Sequence, residues 1–434
     1  MLTLGRGFGL VKASLAGGAL AAAPEKDREG AIVQHRVVIV GSSVGGVRTA
    51  QALRAEGYPG RITLVGEELE LPYDRPPLSK QVLSGAWPAE HACLLTLEDA
   101  ALAQLELRLG VAARALDPQA RLVQLADGEL LPYDDLVIAT GASPRPSPWQ
   151  ADSGIFLLRT LADCRALKER FADGAAVVMI GAGFIGAETA AAARSAGCDV
   201  TLVDPLPVPM ERVTGSVVGS LLADVHRRHG VRTRFGAGVQ AISGRAGDLR
   251  VTLSDGSVLQ AGTVVVGIGA IPNDQWLLGS GLVVEDGVMC DADLAAAGAA
   301  HVFVVGDVAR WPHPELDAPF RAEHWTNAVD QARCAARNIV CPGTRETYQP
   351  SDYVWSDQYD WKLQLAGQRA RAVAEWVIGA PDEQRPKVAV LHADAVGRLC
   401  AAVCLNWPKA FLQCRRLLDE REPAARAREM VAAL

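Results

Sequence analysis

The 434-residue chain carries nine cysteines, and no two of them form a C-x-x-C pair. An odd, scattered set of thiols suits a reducing compartment and excludes a disulfide-stapled scaffold. Cys400 and Cys404 stand closest to one another, with no histidine or third cysteine at zinc-ligand spacing beside them. No metal site is expected, and both read as core residues of an apolar strand. Also missing is any apolar run long enough to span a bilayer. Excess positive charge is absent too: 43 Lys and Arg against 50 Asp and Glu leave a net charge of -7. That argues against a broad nucleic-acid-binding role. With 49% hydrophobic and 21% charged residues, the chain reads as an ordinary globular protein, and its length implies two or three domains.

Residues 1–34 do not resemble the rest. Arg6 and Lys12 precede a short Ala/Leu/Gly run ending at Ala23, a faint echo of a secretory signal. Pro24 and the interrupting glycines favour a disordered extension instead, and a cytoplasmic location is expected.

The chain is organised around the stretch Ala175 to Asp204. A buried-strand run feeds into Gly181, Gly183 and Gly186, an alanine-rich helix comes next, and a second apolar run ends on Asp204. Each glycine serves a mechanical purpose. The first makes the tight turn, the second lets a pyrophosphate approach the backbone, and the third lets helix and strand pack closely. The helix N-terminus then holds phosphates through free N–H groups and its dipole. Asp204 stands where a carboxylate accepts from an adenosine ribose diol, which favours NADH over NADPH. Arg212 opposes that preference. A second such pattern opens at His35: a strand over Val37 to Val40, then Gly41, Ser43 and Gly46, a helix to about Glu56, and a strand from Arg61 to Val65. Ser43 replaces the usual middle glycine. Glu67, just past the strand, is the first choice for the ribose acid.

Two dinucleotide fingerprints in one chain suggest duplication, and an internal repeat supports it. DGELLPYDDLVIATG from Asp127 to Gly141 matches DGSVLQAGTVVVGIG from Asp255 to Gly269, each followed by a proline, Pro144 or Pro272. Between the first acid and the first repeat lies Leu71 to Lys80, whose three prolines make it rigid and non-helical until Leu78. Further on, a buried strand from Val302 to Val305 ends at Gly306 and Asp307, an acid facing the ligand crevice of a parallel sheet. A helix entered at Thr326 bears Trp325 at its start. From about Tyr348 short alternating apolar runs predict an antiparallel sheet, followed by helices over Ala410 to Leu418 and Ala424 to Leu434. Within it Arg398, Lys409, Arg415 and Arg416 form a local basic set without an acid among them, read either as a docking face for an acidic partner or as a solvated helix end.

Taken together, LPYDRPPLSK, GAGFIGAE, VVGDVA, EHWTNAVDQAR and DYVWSDQYDWKLQLAG resemble the FAD-dependent, NADH-consuming ferredoxin reductases of bacterial Rieske oxygenase and cytochrome P450 systems. The resemblance runs from about residue 35 to 420. It implies an α/β fold of glutathione-reductase-like architecture, with two Rossmann-like dinucleotide-binding domains and a C-terminal α+β domain. The implied boundaries are 35–148 and 268–346 for the two parts of the FAD domain, 149–267 for the NAD domain and 347–434 for the last. It also implies FAD contacts at Gly41, Ser43, Gly46, Glu67, Arg75, Lys80, Arg145 and Asp307, with Trp325 beside the flavin ring. NADH would meet Gly181, Gly183, Ile185, Gly186, Asp204 and Gly269, with Glu188 near the nicotinamide. Lys80, Glu188 and Trp325 are then the catalytic candidates.

Without a C-x-x-C or C-x-x-x-x-C pair near the first helix, no dithiol relay is available, and electrons would leave the flavin edge directly. The expected partner is an iron–sulfur ferredoxin on the Arg398, Lys409, Arg415 and Arg416 face, with the enzyme a monomer or homodimer and no membrane or nucleic acid involved. Two other readings remain: a stand-alone NADH-dependent flavin reductase or oxidase, and a redox-sensing interaction protein.

Overall fold

The computed structural model describes residues 35–434 except 173 and 382. The expectation of a disordered extension over 1–34 lies outside the described residues.

Three sheets carry the architecture. The first has six strands in the order Ala295–Ala296, Ala299–Val304, Asp135–Ile138, Arg36–Val40, Arg61–Gly66 and Leu105–Leu109, all parallel except the first pair. The second is wholly parallel: Arg232–Phe235, Val200–Asp204, Val177–Ile180, Thr263–Val266 and Ile155–Phe156. Both are doubly wound, and central strands such as Val177–Ile180 are buried along their whole length, as parallel strands covered on both faces must be. The strand order reverses beside Arg36–Val40 in one sheet and Val177–Ile180 in the other, and ligands of such sheets bind at that crevice.

The sequence repeat is visible as structure. Each doubly wound sheet carries a three-stranded meander, Ala113–Asp117, Leu122–Leu125 and Leu130–Pro132 in one, and Val239–Arg245, Asp248–Leu253 and Val258–Ala261 in the other. Gly128 (φ +91°) and Gly256 (φ +82°) make the corresponding hairpin turns. Past each repeat comes a short strand, and these two strands, Ala142–Pro144 and Ala270–Pro272, pair antiparallel with each other. The chain leaves the first sheet and returns to it through this one ribbon.

The third sheet is antiparallel, in the order Tyr353–Gln358, Trp361–Gly367, Leu399–Leu405, Val388–Ala393 and Ala374–Gly379. Helices Pro408–Asp419 and Ala424–Ala432 cover one face, as the periodicity predicts. Strand Tyr353–Gln358 is not predicted by the apolar alternation. Cys400 and Cys404 are buried in Leu399–Leu405. The other face packs Trp361, Leu363, Leu365 and Val390 on Ala187, Leu221 and Val225. Those residues lie on helices Phe184–Ser195 and Glu211–Arg228, which flank the second sheet, so the C-terminal sheet is seated against the helix that leaves the second glycine turn.

The proline segment departs slightly from expectation. Pro76–Ser79 is already a short 3-10 helix, with proline in its first turn where a missing N–H costs nothing. Tyr73, Leu78 and Val82 bury against Leu161, Cys164 and Ala190, which brings Lys80 under helix Phe184–Ser195.

Candidate active site

Four glycines are required by the protein itself. A Cβ on Gly41 (φ +116°) would stand 2.1 Å from the Ala139 carbonyl oxygen, and one on Gly46 1.8 Å from that of Gly41. The second turn repeats the arrangement: Gly181 (φ +94°) meets the Gly267 oxygen at 2.2 Å and Gly186 the Gly181 oxygen at 1.8 Å. Gly183 differs. Its φ is -73°, and nothing lies within 4 Å of where its Cβ would be. Neither backbone strain nor packing explains that glycine, whereas a phosphate drawn against the helix N-terminus does. Gly183 is the N-cap of Phe184–Ser195, and Ser43 is the N-cap of Val44–Ala55. Neither helix has a side-chain cap or an acid in its first turn. Both ends thus fit a pyrophosphate, and Ile185 lies exposed beside the second.

Acids stand at the ends of both second strands. Glu67 is exposed just past Arg61–Gly66. Asp204 does more than expected: its Oδ2 accepts the Ala182 N–H at 2.7 Å and its Oδ1 the Leu206 N–H at 2.8 Å. The carboxylate therefore braces the glycine turn, and with about four lone-pair sites it retains capacity for a ribose hydroxyl.

Asp307 lies in the turn Gly306–Val308, and its carboxylate meets Arg159 Nη2 at 3.3 Å. No sequence motif points to Arg159. Its carbonyl oxygen accepts from Arg75 Nη1 at 2.6 Å, while Arg75 Nη2 holds Glu68 at 2.8 Å. The buried Nε atoms of Arg75 and Arg159 have no protein partner, an arrangement that fits acceptor atoms of a bound ligand. Arg145 is exposed, and its N–H donates to the carbonyl of Gly269 (φ +106°) at 2.8 Å. Two residues expected at different cofactors thus meet on the connecting ribbon.

The strongest feature is a buried ion pair. Lys80 Nζ lies 2.8 Å from Glu188 Oε2, with the side chains 12% and 3% exposed. Ser79 Oγ donates to the same oxygen at 2.6 Å, and Ser356 Oγ donates to Oε1 at 2.6 Å. Three donors from two segments satisfy a carboxylate that could not otherwise stay buried and charged. Neither serine is singled out by the sequence.

Trp325 opens helix Trp325–Val340, and its indole Nε1 donates to Asp74 Oδ1 at 2.8 Å. Burial pushes the Asp74 carboxyl up, and the indole N–H opposes that shift. Trp355 meets Trp325 edge-on at 6.0 Å, Tyr353 stacks on Trp355 at 5.7 Å, and the Arg415 guanidinium lies 5.4 Å over Tyr353. Of the basic set, Arg415 is half-buried against this aromatic row, while Arg398, Lys409 and Arg416 are exposed, with Arg416 3.8 Å from Glu420.

Among the described residues no group of His, Cys, Asp and Glu could hold a metal ion, and no helix is long and apolar enough to cross a membrane. All nine cysteines are free.

Comparison with known proteins identifies the family. Residues 35–332 match the pyridine nucleotide-disulphide oxidoreductase family, and residues 353–432 match the reductase C-terminal family. The chain is 37% identical over 392 residues to rhodocoxin reductase of Rhodococcus erythropolis, covering 89% of this chain and 90% of that one. It is 36% identical to the ferredoxin–NAD(+) reductase component of the anthranilate 1,2-dioxygenase system of Burkholderia cepacia, with 88% and 93% covered. The fold superposes on a chain of the covalent putidaredoxin reductase–putidaredoxin complex with a TM-score of 0.83, at 33% identity and covering 90% and 94%.

Proposed function

The chain belongs to the pyridine nucleotide-disulphide oxidoreductase family, and on that premise we propose that it is an FAD-dependent reductase. It takes hydride from NADH and delivers single electrons to a ferredoxin that supplies a P450 or Rieske oxygenase. The observation that carries this reading is the Lys80–Glu188 pair, which ties the segment after the first dinucleotide turn to the helix of the second.

FAD, when bound, accepts a hydride and releases electrons one at a time, the conversion needed between a nicotinamide and an iron–sulfur centre. The chain's own residues bind and orient. Gly41, Ser43 and Gly46 open the FAD turn, Glu67 takes the ribose, and Asp307, Arg75, Arg145 and Lys80 complete the set, with Trp325 as the aromatic wall. Gly181, Gly183, Ile185 and Gly186 form the NADH turn, Asp204 accepts from the adenosine ribose, and Gly269 and Glu188 lie toward the nicotinamide. Lys80 supplies positive charge where negative charge develops, and Glu188 fixes the position of that ammonium.

The residue ranges 35–148 and 268–346 act as the FAD half, 149–267 as the NADH half and 347–434 as the face toward the ferredoxin. Arg398, Lys409 and Arg416 form the exposed part of that face, and Arg415 backs it. We place the enzyme in the cytoplasm, where nine thiols remain reduced, as a monomer or homodimer.

The test is NADH-driven cytochrome c reduction with and without an added iron–sulfur ferredoxin. The reading requires turnover to depend on the ferredoxin and to fall as salt screens the basic face. Full-rate, ferredoxin-independent turnover of a small acceptor would overturn it in favour of a stand-alone flavin reductase.

A further inference from the structure

Behind Glu188 runs a line of hydrogen bonds that the site residues do not account for. Ser356 Oγ donates to Glu188 Oε1 at 2.6 Å. Gln358 Nε2 reaches Ser356 Oγ at 3.3 Å and Met210 Sδ at 3.4 Å. Gln358 Oε1 faces His226 Nε2 at 3.1 Å, and His226 Nδ1 faces the Tyr359 hydroxyl at 3.1 Å. Glu188, Ser356, Gln358 and His226 are all buried, at 3%, 0%, 1% and 0% exposure. The half-buried Tyr359 ring stacks on His229, 3.7 Å between centroids and 9° between planes.

Chemistry fixes the direction of every bond in this line. The Met210 thioether can only accept, so the Gln358 amide nitrogen must face it and Ser356. The amide oxygen is thereby turned to His226, whose Nε2 must carry the proton. Nδ1 is then a bare acceptor for the Tyr359 hydroxyl. The Ser356 oxygen, already accepting from Gln358, has its own proton for Glu188. Tyr359, His226, Gln358 and Ser356 all donate in the same sense, toward one carboxylate. Bonds aligned head to tail polarise one another, and a neutral imidazole is required at the second link. Burial pulls the His226 imidazole down to about 4, which keeps it neutral.

We propose that this unidirectional donor line is the device by which the C-terminal sheet and helix Glu211–Arg228 align Glu188, making Ser356, Gln358 and His226 positioning residues for hydride transfer from NADH. The proposal rests on the assignment of Glu188 to the nicotinamide side. It gives the polar Ser356-Asp357-Gln358-Tyr359 run at the end of strand Tyr353–Gln358 a role that no residue of the cofactor turns performs. The carboxylate is held from the flavin side by Ser79 and Lys80 and from the C-terminal side by the donor line, so its rotamer depends on all three segments being in place.

Two measurements on the FAD-loaded full chain test it. Nitrogen-15 NMR of histidine-labelled protein should show His226 with Nε2 protonated and Nδ1 bare at neutral pH, and Gln358→Leu should shift both signals. Stopped-flow flavin reduction at saturating NADH should slow about tenfold in Ser356→Ala, the loss of one hydrogen bond to a charged acceptor, and about fivefold in Gln358→Leu, which removes the neutral bond that orients the Ser356 hydroxyl. Adding Gln358→Leu to Glu188→Gln should cost no more than about twofold further, because the two act through one group. A His226 proton on Nδ1, or full additivity of Gln358→Leu with Glu188→Gln, overturns the donor line. If Glu188→Gln alone leaves both reduction rate and NADH affinity unchanged, the assignment of Glu188 fails and the proposal fails with it.

Discussion

Replacing Lys80 by methionine removes an ammonium from a pocket where its partner is 3% exposed and leaves the rest of the packing in place. Breaking a buried ion pair by deleting one member costs roughly 3–5 kcal/mol, because the other charge stays uncompensated. Here the carboxylate keeps two hydroxyl donors, Ser79 and Ser356, each at 2.6 Å, and such bonds to a charged acceptor are worth about 1.5–3 kcal/mol apiece. The loss is therefore expected at the low end, about 3 kcal/mol. Adding Glu188→Gln removes the stranded charge, and the double variant should return to within about 1 kcal/mol of the parent. The assay is urea unfolding of the FAD-loaded protein, comparing midpoints of the parent, both single variants and the double at constant m-value. A pair that merely touches would give additive effects. Agreement between the double variant and the sum of the singles within about 0.5 kcal/mol refutes the claim that the two charges depend on each other.

Other expectations come from the same geometry. Gly183→Ala should leave the unfolding midpoint unchanged while raising KM for NADH, since only a ligand uses the space there, whereas Gly186→Ala should destabilise the protein through its 1.8 Å clash with the Gly181 oxygen. Equal loss of stability in both variants would contradict that distinction. Asp204→Asn keeps one acceptor oxygen for the Ala182 or Leu206 N–H and should narrow the ratio of NADH to NADPH turnover; an unchanged ratio removes Asp204 from the ribose. Burial pulls both His226 and His392 from 6.5 to about 4, so each binds its proton more readily in the unfolded chain. Their contribution is complete above pH 6.5 and is lost as the pH falls toward 4, about 2 kcal/mol from each by roughly pH 5. His392→Leu should flatten the acid limb of stability against pH, and an unaltered slope would show that His392 is not buried neutral.

The part of the molecule legible in the sequence is the part whose causes are local. Gly46 and Gly186 are constrained by carbonyls of their own turns and Gly41 and Gly181 by a positive φ, and the strand, turn and helix around them are contiguous in the chain. The hairpin repeat is legible for the same reason. Ser79 and Ser356 are not legible, because they reach Glu188 across 109 and 168 residues, and a serine in a polar run carries no periodic signal. Strand Tyr353–Gln358 escapes the alternation test because Ser356 and Gln358 are buried polar residues of the donor line. Arg159 sits among ordinary residues before helix Leu161–Ala172 and becomes notable only when folding sets it against Asp307. That Arg415 is half-buried while Arg398, Lys409 and Arg416 are exposed is not legible either, because charge can be counted along a chain, whereas exposure cannot.

The ribbon formed by Ala142–Pro144 and Ala270–Pro272 has a consequence for the order of events during synthesis. Strand Asp135–Ile138 needs Ala299–Val304 as its parallel neighbour, and everything between them must be made first. The intervening sheet, Val177–Ile180 with its four neighbours, closes over shorter loops and contains all its own strands. It is therefore expected to mature on the ribosome while the earlier strands still wait for their edge. In such a nested chain the intervening sheet is expected to be a folded guest before its host exists.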